Sequence, residues 1–131
     1  MKTFEQYIRE SVDFRLGGNQ QKGFEQTNYK SFAELKKGDK FYWFYKRNTL
    51  ESCTAQCYTF SYAKPYEDDQ IMLHSNKLGY VCINKEQYDL PVFVDEMHDV
   101  TYVASTDYDL FVDTVKEETG IELKETDIIQ I

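Results

Sequence analysis

Apolar and polar positions alternate with two different periods along this chain, and the change of period divides it. Over residues 3–12 the side chains of Phe4, Tyr7, Ile8 and Val12 fall at helical spacing on one stripe. Thr3 can cap that helix, with Gln6 three residues on to complete a capping box. Gly17 and Gly18 end any continuation, so residues 1–16 form an N-terminal amphipathic helix. Residues 17–30 are polar and glycine-dotted, the composition of a linker or irregular loop. Ser31 and Glu34 form a second capping box, which predicts a short helix closing at Gly38.

From there the period is two. Residues 39–46 place Phe41, Trp43 and Tyr45 on one face of a strand and Tyr42 and Phe44 on the other. After a turn at Arg47 and Asn48, a second, long strand is expected over 51–63, broken at Lys64 and Pro65. Residues 70–74 and 79–84 read as a third and fourth strand around a turn at 75–77. Pro91 confines the following segment to a sheet edge or an irregular piece, and residues 100–104 make a fifth strand. Ser105 or Thr106 then caps a helix that carries Tyr108, Phe111 and Val115 on its apolar stripe and stops at Gly120. The last eleven residues, from Ile121, read as a strand.

This pattern makes the class mainly β (α+β): a folded domain over 31–131 with a C-terminal helix, preceded by the linker and the N-terminal helix. A small sheet of about five strands hides its edges best by curling onto itself, so a partly open barrel is expected. The stretch FAELKKGDKFY, Phe32 to Tyr42, resembles the approach to the first strand of small SH3-like barrels, and that resemblance covers residues 32–104. Such barrels host many unrelated functions.

A chain of 131 residues can bury a core without staples, and its 16% aromatic content suits strands. The three cysteines leave an odd count. Cys53 and Cys57 lie four residues apart in one strand, about 13 Å, whereas bridged Cα atoms lie within roughly 7 Å. They cannot pair in a regular strand, and buried reduced thiols are expected. No apolar run approaches the roughly 20 residues of a membrane-spanning helix, and Glu5 interrupts what a secretory signal would need. A cytoplasmic site of synthesis follows.

Charge is uneven: residues 1–40 carry +2, residues 41–88 are neutral and residues 89–131 carry −10, for a net charge of −8. That acidic region disfavours direct nucleic-acid binding. It suits a solvated surface, a basic protein partner, or imitation of DNA toward a DNA-binding protein.

Catalytic signatures are missing: the sequence contains no dinucleotide fingerprint, phosphate loop or nucleophile elbow. His74 and His98 lack metal-type partners at helical spacing. His98 sits among Asp95, Glu96 and Asp99, which could hold a cation or form a solvated turn. Asp107 and Asp109 could be paired carboxylates, but the first turn of a helix explains them more simply. Neither an enzymatic activity nor a cofactor is therefore expected. Tyr42 and Phe44 are the candidates for an aromatic recognition surface.

The opening segment carries a resemblance of its own. MKTFEQYIRES is similar to the capsid-targeting peptides of large contractile-tailed bacteriophages. Those begin Met-Lys-Thr-aromatic, form a short amphipathic helix, and end in an apolar residue, any residue, then Glu, where the prohead protease cuts. Here Met1, Lys2, Thr3 and Phe4 match the start. Phe4, Tyr7 and Ile8 match the apolar face, and Ile8, Arg9 and Glu10 followed by Ser11 match the cleavage pattern.

The resemblance implies a virion protein, made in the bacterial host cytoplasm, that docks on other phage structural proteins as head-internal cargo or a minor component. A permanent assembly helix and an ordinary domain helix are the other readings of the segment, since the stripe continues into Val12, Phe14 and Leu16. In a different class stands an acidic inhibitor of a host defence or nucleic-acid-binding enzyme, acting through residues 89–131.

Overall fold

A computed structural model of the chain describes residues 29–77 and 79–131. A unit boundary falls between Lys30 and Ser31, and the unit Ser31–Ile131 is described by itself. The predicted N-terminal helix, the linker, and the candidate docking and cleavage residues Phe4, Tyr7, Ile8, Glu10 and Ser11 lie outside the described residues.

The folded unit is mainly β: one curled antiparallel sheet of six strands, a half-barrel, with one α-helix. In chain order the strands are β1 (Lys40–Arg47), β2 (Cys53–Tyr66), β3 (Gln70–Ser75), β4 (Tyr80–Asn84), β5 (Val92–Met97) and β6 (Val100–Ser105). Their order across the sheet is β4-β3-β2-β1-β6-β5, which leaves β4 and β5 at the edges. The segment after Pro91 is thus an edge strand, six residues long and regular. Gln87 blunts that edge, because its side-chain Oε1 accepts from the Val94 backbone N–H at 3.1 Å.

β2 makes the curl. Its first half pairs with β1, Lys40 opposite Thr59 through Lys46 opposite Cys53, and its second half pairs with β3. The register shifts between Phe60 and Tyr62, so the strand turns as it changes partner. Pro65 does not break it, contrary to expectation. Beyond Thr59 no β1 residue lies alongside β2, so a residue with no N–H is tolerated on that open side.

Alternation on β1 sorts the core into two clusters on the two sides of the sheet. Phe41 joins Phe60, Leu73, Ile83 and Phe93 on the inner, concave side, where Phe32 and Leu35 close one end. Phe44 joins Ala55, Cys57 and Val103 on the other side, under Phe111 and Val115 of the helix α1 (Tyr108–Thr119). Phe41, Phe44, Phe111 and Leu73 are all fully buried. The second predicted helix shrinks to a three-residue 3₁₀ turn, Phe32–Glu34, followed by a turn in which the Asp39 carboxylate accepts from the Lys36 N–H at 2.8 Å. Glu34 still reaches back to the Ser31 N–H at 2.9 Å.

α1 runs as its apolar stripe predicts and stops at Gly120, whose φ of +80° only glycine adopts freely. The N-cap, however, is Asp107, whose carboxylate accepts from the Leu110 N–H at 3.0 Å. Ser105 serves elsewhere: its hydroxyl donates to the Pro91 carbonyl and accepts from the Asp107 N–H. After α1 the chain is mostly irregular. Only Ile129–Gln130 forms a short strand, β7, parallel to β2 at Gln56 and Cys57, where an eleven-residue strand segment was expected.

The β5–β6 hairpin turns on His98 and Asp99, both at positive φ, +51° and +67°. Two left-handed residues match the twist of the flanking strands, and they place the candidate cation cluster in a tight turn. Asp99→Gly should stabilise the unit by about 0.5–1 kcal/mol by relieving left-handed strain. Asp99→Val should cost about 1–2 kcal/mol. Urea midpoints of the two variants against the parent would check both.

Candidate functional site

Among the described residues one side of the half-barrel's concave face is left uncovered, and a cleft of about 440 Å³ opens there. Alternation again dictates what lines it. Trp43 and Tyr45 of β1 point into it on the same face as Phe41, Gln56 and Tyr58 from β2, and Tyr102 from β6. Edge strand β5 adds Phe93, Asp95 and Met97; along the opposite edge, β4, Tyr80, Val81, Cys82 and Asn84 border the cleft irrespective of face, since alternation there turns Val81 and Ile83 to the concave cluster.

The aromatic rings form a continuous floor. Trp43 lies 6.2 Å from Phe93, nearly parallel, and 5.5 Å from Tyr102 at a tilt of 35°. Tyr45 follows at 6.5 Å from Tyr102. Tyr45, Tyr80 and Met97 are 40%, 52% and 42% exposed, so apolar surface rims the cleft as well as lining it. Asp95 sits directly opposite Tyr102 in the β5–β6 register. It is the one charged side chain among the described lining residues, half-buried and without a hydrogen bond or salt bridge among the described residues.

A second hollow of about 350 Å³ lies on the far side of Tyr45 and Tyr102, lined by Lys46, Arg47 and the exposed Leu50. Asn48 ties its loop to the hairpin, donating from Nδ2 to Glu96 at 2.7 Å and accepting from the Thr101 hydroxyl at 2.8 Å.

Tyr42 and Phe44, the aromatic residues singled out for recognition, face the other way. Phe44 has no exposed surface. Tyr42 stacks on Phe111 at 5.4 Å and meets Tyr108 edge-on. Burial, with Cys57 beside it, pushes the Tyr42 phenol up to about 12. The alternate face of the same strand carries the open aromatic surface. The signal was in β2: its small apolar Ala55 and Cys57 suit a face covered by a helix, whereas Gln56 and Tyr58 carry polar tips on the other face, where the Tyr58 hydroxyl donates to Gln56 Oε1 at 2.8 Å.

The remaining candidates separate. His74 stacks on Tyr62 at 4.4 Å and near Tyr80 at 5.5 Å, and its buried Nε2 has no hydrogen-bond partner. Cys82 stands opposite Met72, and Tyr80 opposite His74. Among the described residues no group of three or more His, Cys, Asp or Glu side chains is placed to hold a metal ion, and no helix is long and apolar enough to cross a membrane.

All three cysteines are free. Only Cys57 is fully buried; Cys82 is half-buried, and Cys53, at the start of β2 beyond the reach of α1, is exposed. Burial raises all three thiols above their ordinary value. Under native conditions iodoacetamide should label Cys53 first, and Cys57 at least about tenfold more slowly until the unit opens. Timed mass spectrometry reads that order.

On α1, Asp109, Asp113 and Glu117 recur every fourth residue on one exposed or part-exposed stripe. Burial, then the Asp109 and Glu117 carboxylates, raise the Asp113 carboxyl above 3.8. A carboxyl with a raised folded-state pKa stabilises the fold fully below its unfolded pKa. It loses that contribution as pH rises through the folded value. Asp113→Lys should therefore stabilise the unit at neutral pH by about 0.5–1 kcal/mol, through two new i,i+4 pairs. Near pH 3 the gain should vanish, which thermal unfolding at both pH values would show.

Comparison with known proteins gives no family for this arrangement: no family model, curated protein or solved structure matches the chain.

Proposed function

We propose that this chain is a non-enzymatic bacteriophage virion-associated protein, head-internal cargo or a minor structural component, docked on other phage structural proteins by its N-terminal segment. The observation that carries the reading is the density of the match over Met1 to Ser11, with Phe4, Tyr7 and Ile8 on the docking face and a cleavage pattern at Glu10 and Ser11. The mode is a helix laid into an apolar groove. The folded unit supports it indirectly. From Ser31 onward it has an apolar cluster on each side of its sheet, as cargo needs if its address segment is cut away.

The intact mass of the protein in mature particles tests this. A species beginning at Ser11 is expected. A full-length chain there would remove the cleavage step, and absence from particles would remove the assignment. Replacing Phe4, Tyr7 and Ile8 together with Asp should abolish incorporation while leaving the unfolding midpoint of the rest within about 1 °C.

A second reading, an acidic inhibitor of a host nucleic-acid-binding enzyme, is favoured by the Asp109, Asp113 and Glu117 stripe. It requires binding that weakens steeply with added salt, since exposed charges are screened within about 8–10 Å. Docking of an apolar helix barely changes with salt.

A further inference from the structure

We propose that the concave cleft binds an arginine side chain of a protein partner, the guanidinium lying over the Trp43 and Tyr102 rings with its charge on Asp95. This goes beyond the docking role of the N-terminal segment and does not depend on it.

Three observations carry it. The floor is aromatic and continuous, and ring faces attract cations, arginine above all because its planar guanidinium stacks as well as pairs. The only charged group among the described lining residues is a carboxylate without a partner, and leaving such a group half-buried costs free energy that a fork of N–H donors would recover. No basic side chain stands among the described lining residues to neutralise it. An anionic occupant would meet Asp95 unscreened. A purely apolar one would bury that carboxylate without satisfying it.

The apolar rim says what surrounds the arginine. Tyr45, Tyr80 and Met97 stand exposed about the opening, so the partner segment carries aliphatic neighbours beside its cation.

Trp43 is the only tryptophan in the chain, so its emission and its indole N–H resonance report on the cleft directly. The full-length chain would be titrated with the peptide acetyl-Leu-Arg-Leu-amide, and with the same peptide carrying the neutral isostere citrulline for arginine. The arginine peptide should give a saturable Trp43 response, and the citrulline peptide should bind at least about tenfold more weakly. Asp95→Asn should bring the arginine peptide down to the citrulline level.

Equal binding of the two peptides would assign the cleft to an apolar segment and overturn the proposal. No saturable response to the arginine peptide would overturn it too, as would an Asp95→Asn protein that binds as the parent does. A Trp43 signal that changes on concentrating the protein alone, with a doubled mass by light scattering, would give the site to a second copy. The citrulline comparison uses the unaltered protein, so it stands even if Asp95→Asn folds poorly. Particle incorporation is unaffected by any of these results, which keeps this test separate from that of the N-terminal segment.

Discussion

Phe44→Ala should destabilise the folded unit by about 3–5 kcal/mol, enough to leave a domain of ordinary stability marginal at 37 °C. Phe44 lies at the centre of β1, paired with Ala55 on one side and Val103 on the other. Its ring fills the space between the sheet and α1, with Phe111 and Val115 above it. None of it is exposed, so removing the ring forfeits both its transfer from water and its contacts. The neighbours cannot collapse into the void, because β1 is flanked by hydrogen-bonded strands on both sides and cannot shift. Denaturant unfolding followed by far-UV circular dichroism would give the loss. A cost below about 1 kcal/mol would mean that Phe44 is exposed in solution, facing a partner.

That prediction marks where the sequence was informative and where it fell short. The period-two run from Phe41 to Tyr45 is legible because each residue has a large side chain and each must choose a face. On β1 alone the choice between faces is not, since it is made by α1, more than sixty residues downstream, and only the small Ala55 and Cys57 of β2 point to it. A strand that is aromatic on both faces tells of burial without telling which side the helix will cover. Asp107 shows the same limit at short range. Three capping residues stand in a row, Ser105, Thr106 and Asp107, and the hydrogen bond of Ser105 to Pro91 decides among them through a contact fourteen residues away.

Pro65 and the tail failed for related reasons. Proline is excluded from a strand only where its missing N–H would be needed, and β2 changes partner before reaching it. The tail alternates weakly, and its apolar residues Leu123 and Ile128 are used to cap the cluster under α1. The cleft itself was half legible. Trp43 and Tyr45 share a face by alternation alone, but Asp95 and Tyr102 join them only through the β5–β6 register. That register rests on a turn in which His98 and Asp99 take the conformation usually left to Asn and Gly.

The second large effect concerns whether the two sides of the sheet are one cooperative body. Leu73→Ala should cost about 2–5 kcal/mol. Leu73 is fully buried at the middle of β3, between Ala63 of β2 and Val81 of β4, in the cluster on the concave side. It is remote from α1, yet the whole unit should still unfold in one step. β2 contributes Ala55 and Cys57 to the cluster under the helix and Tyr58 and Phe60 to the concave one, so neither side can melt without taking the strand that holds the other. Trp43 emission reports the concave side and far-UV circular dichroism the rest. The two curves should coincide in the parent and in Leu73→Ala, shifted together. If the Trp43 transition instead came first in the variant, with the helical signal intact, β3 and β4 would be a flap hinged at the Phe60–Tyr62 bulge. The cleft would then open and close by local unfolding, because Tyr80, Cys82 and Asn84 would leave it while Trp43, Tyr102 and Asp95 remained in place.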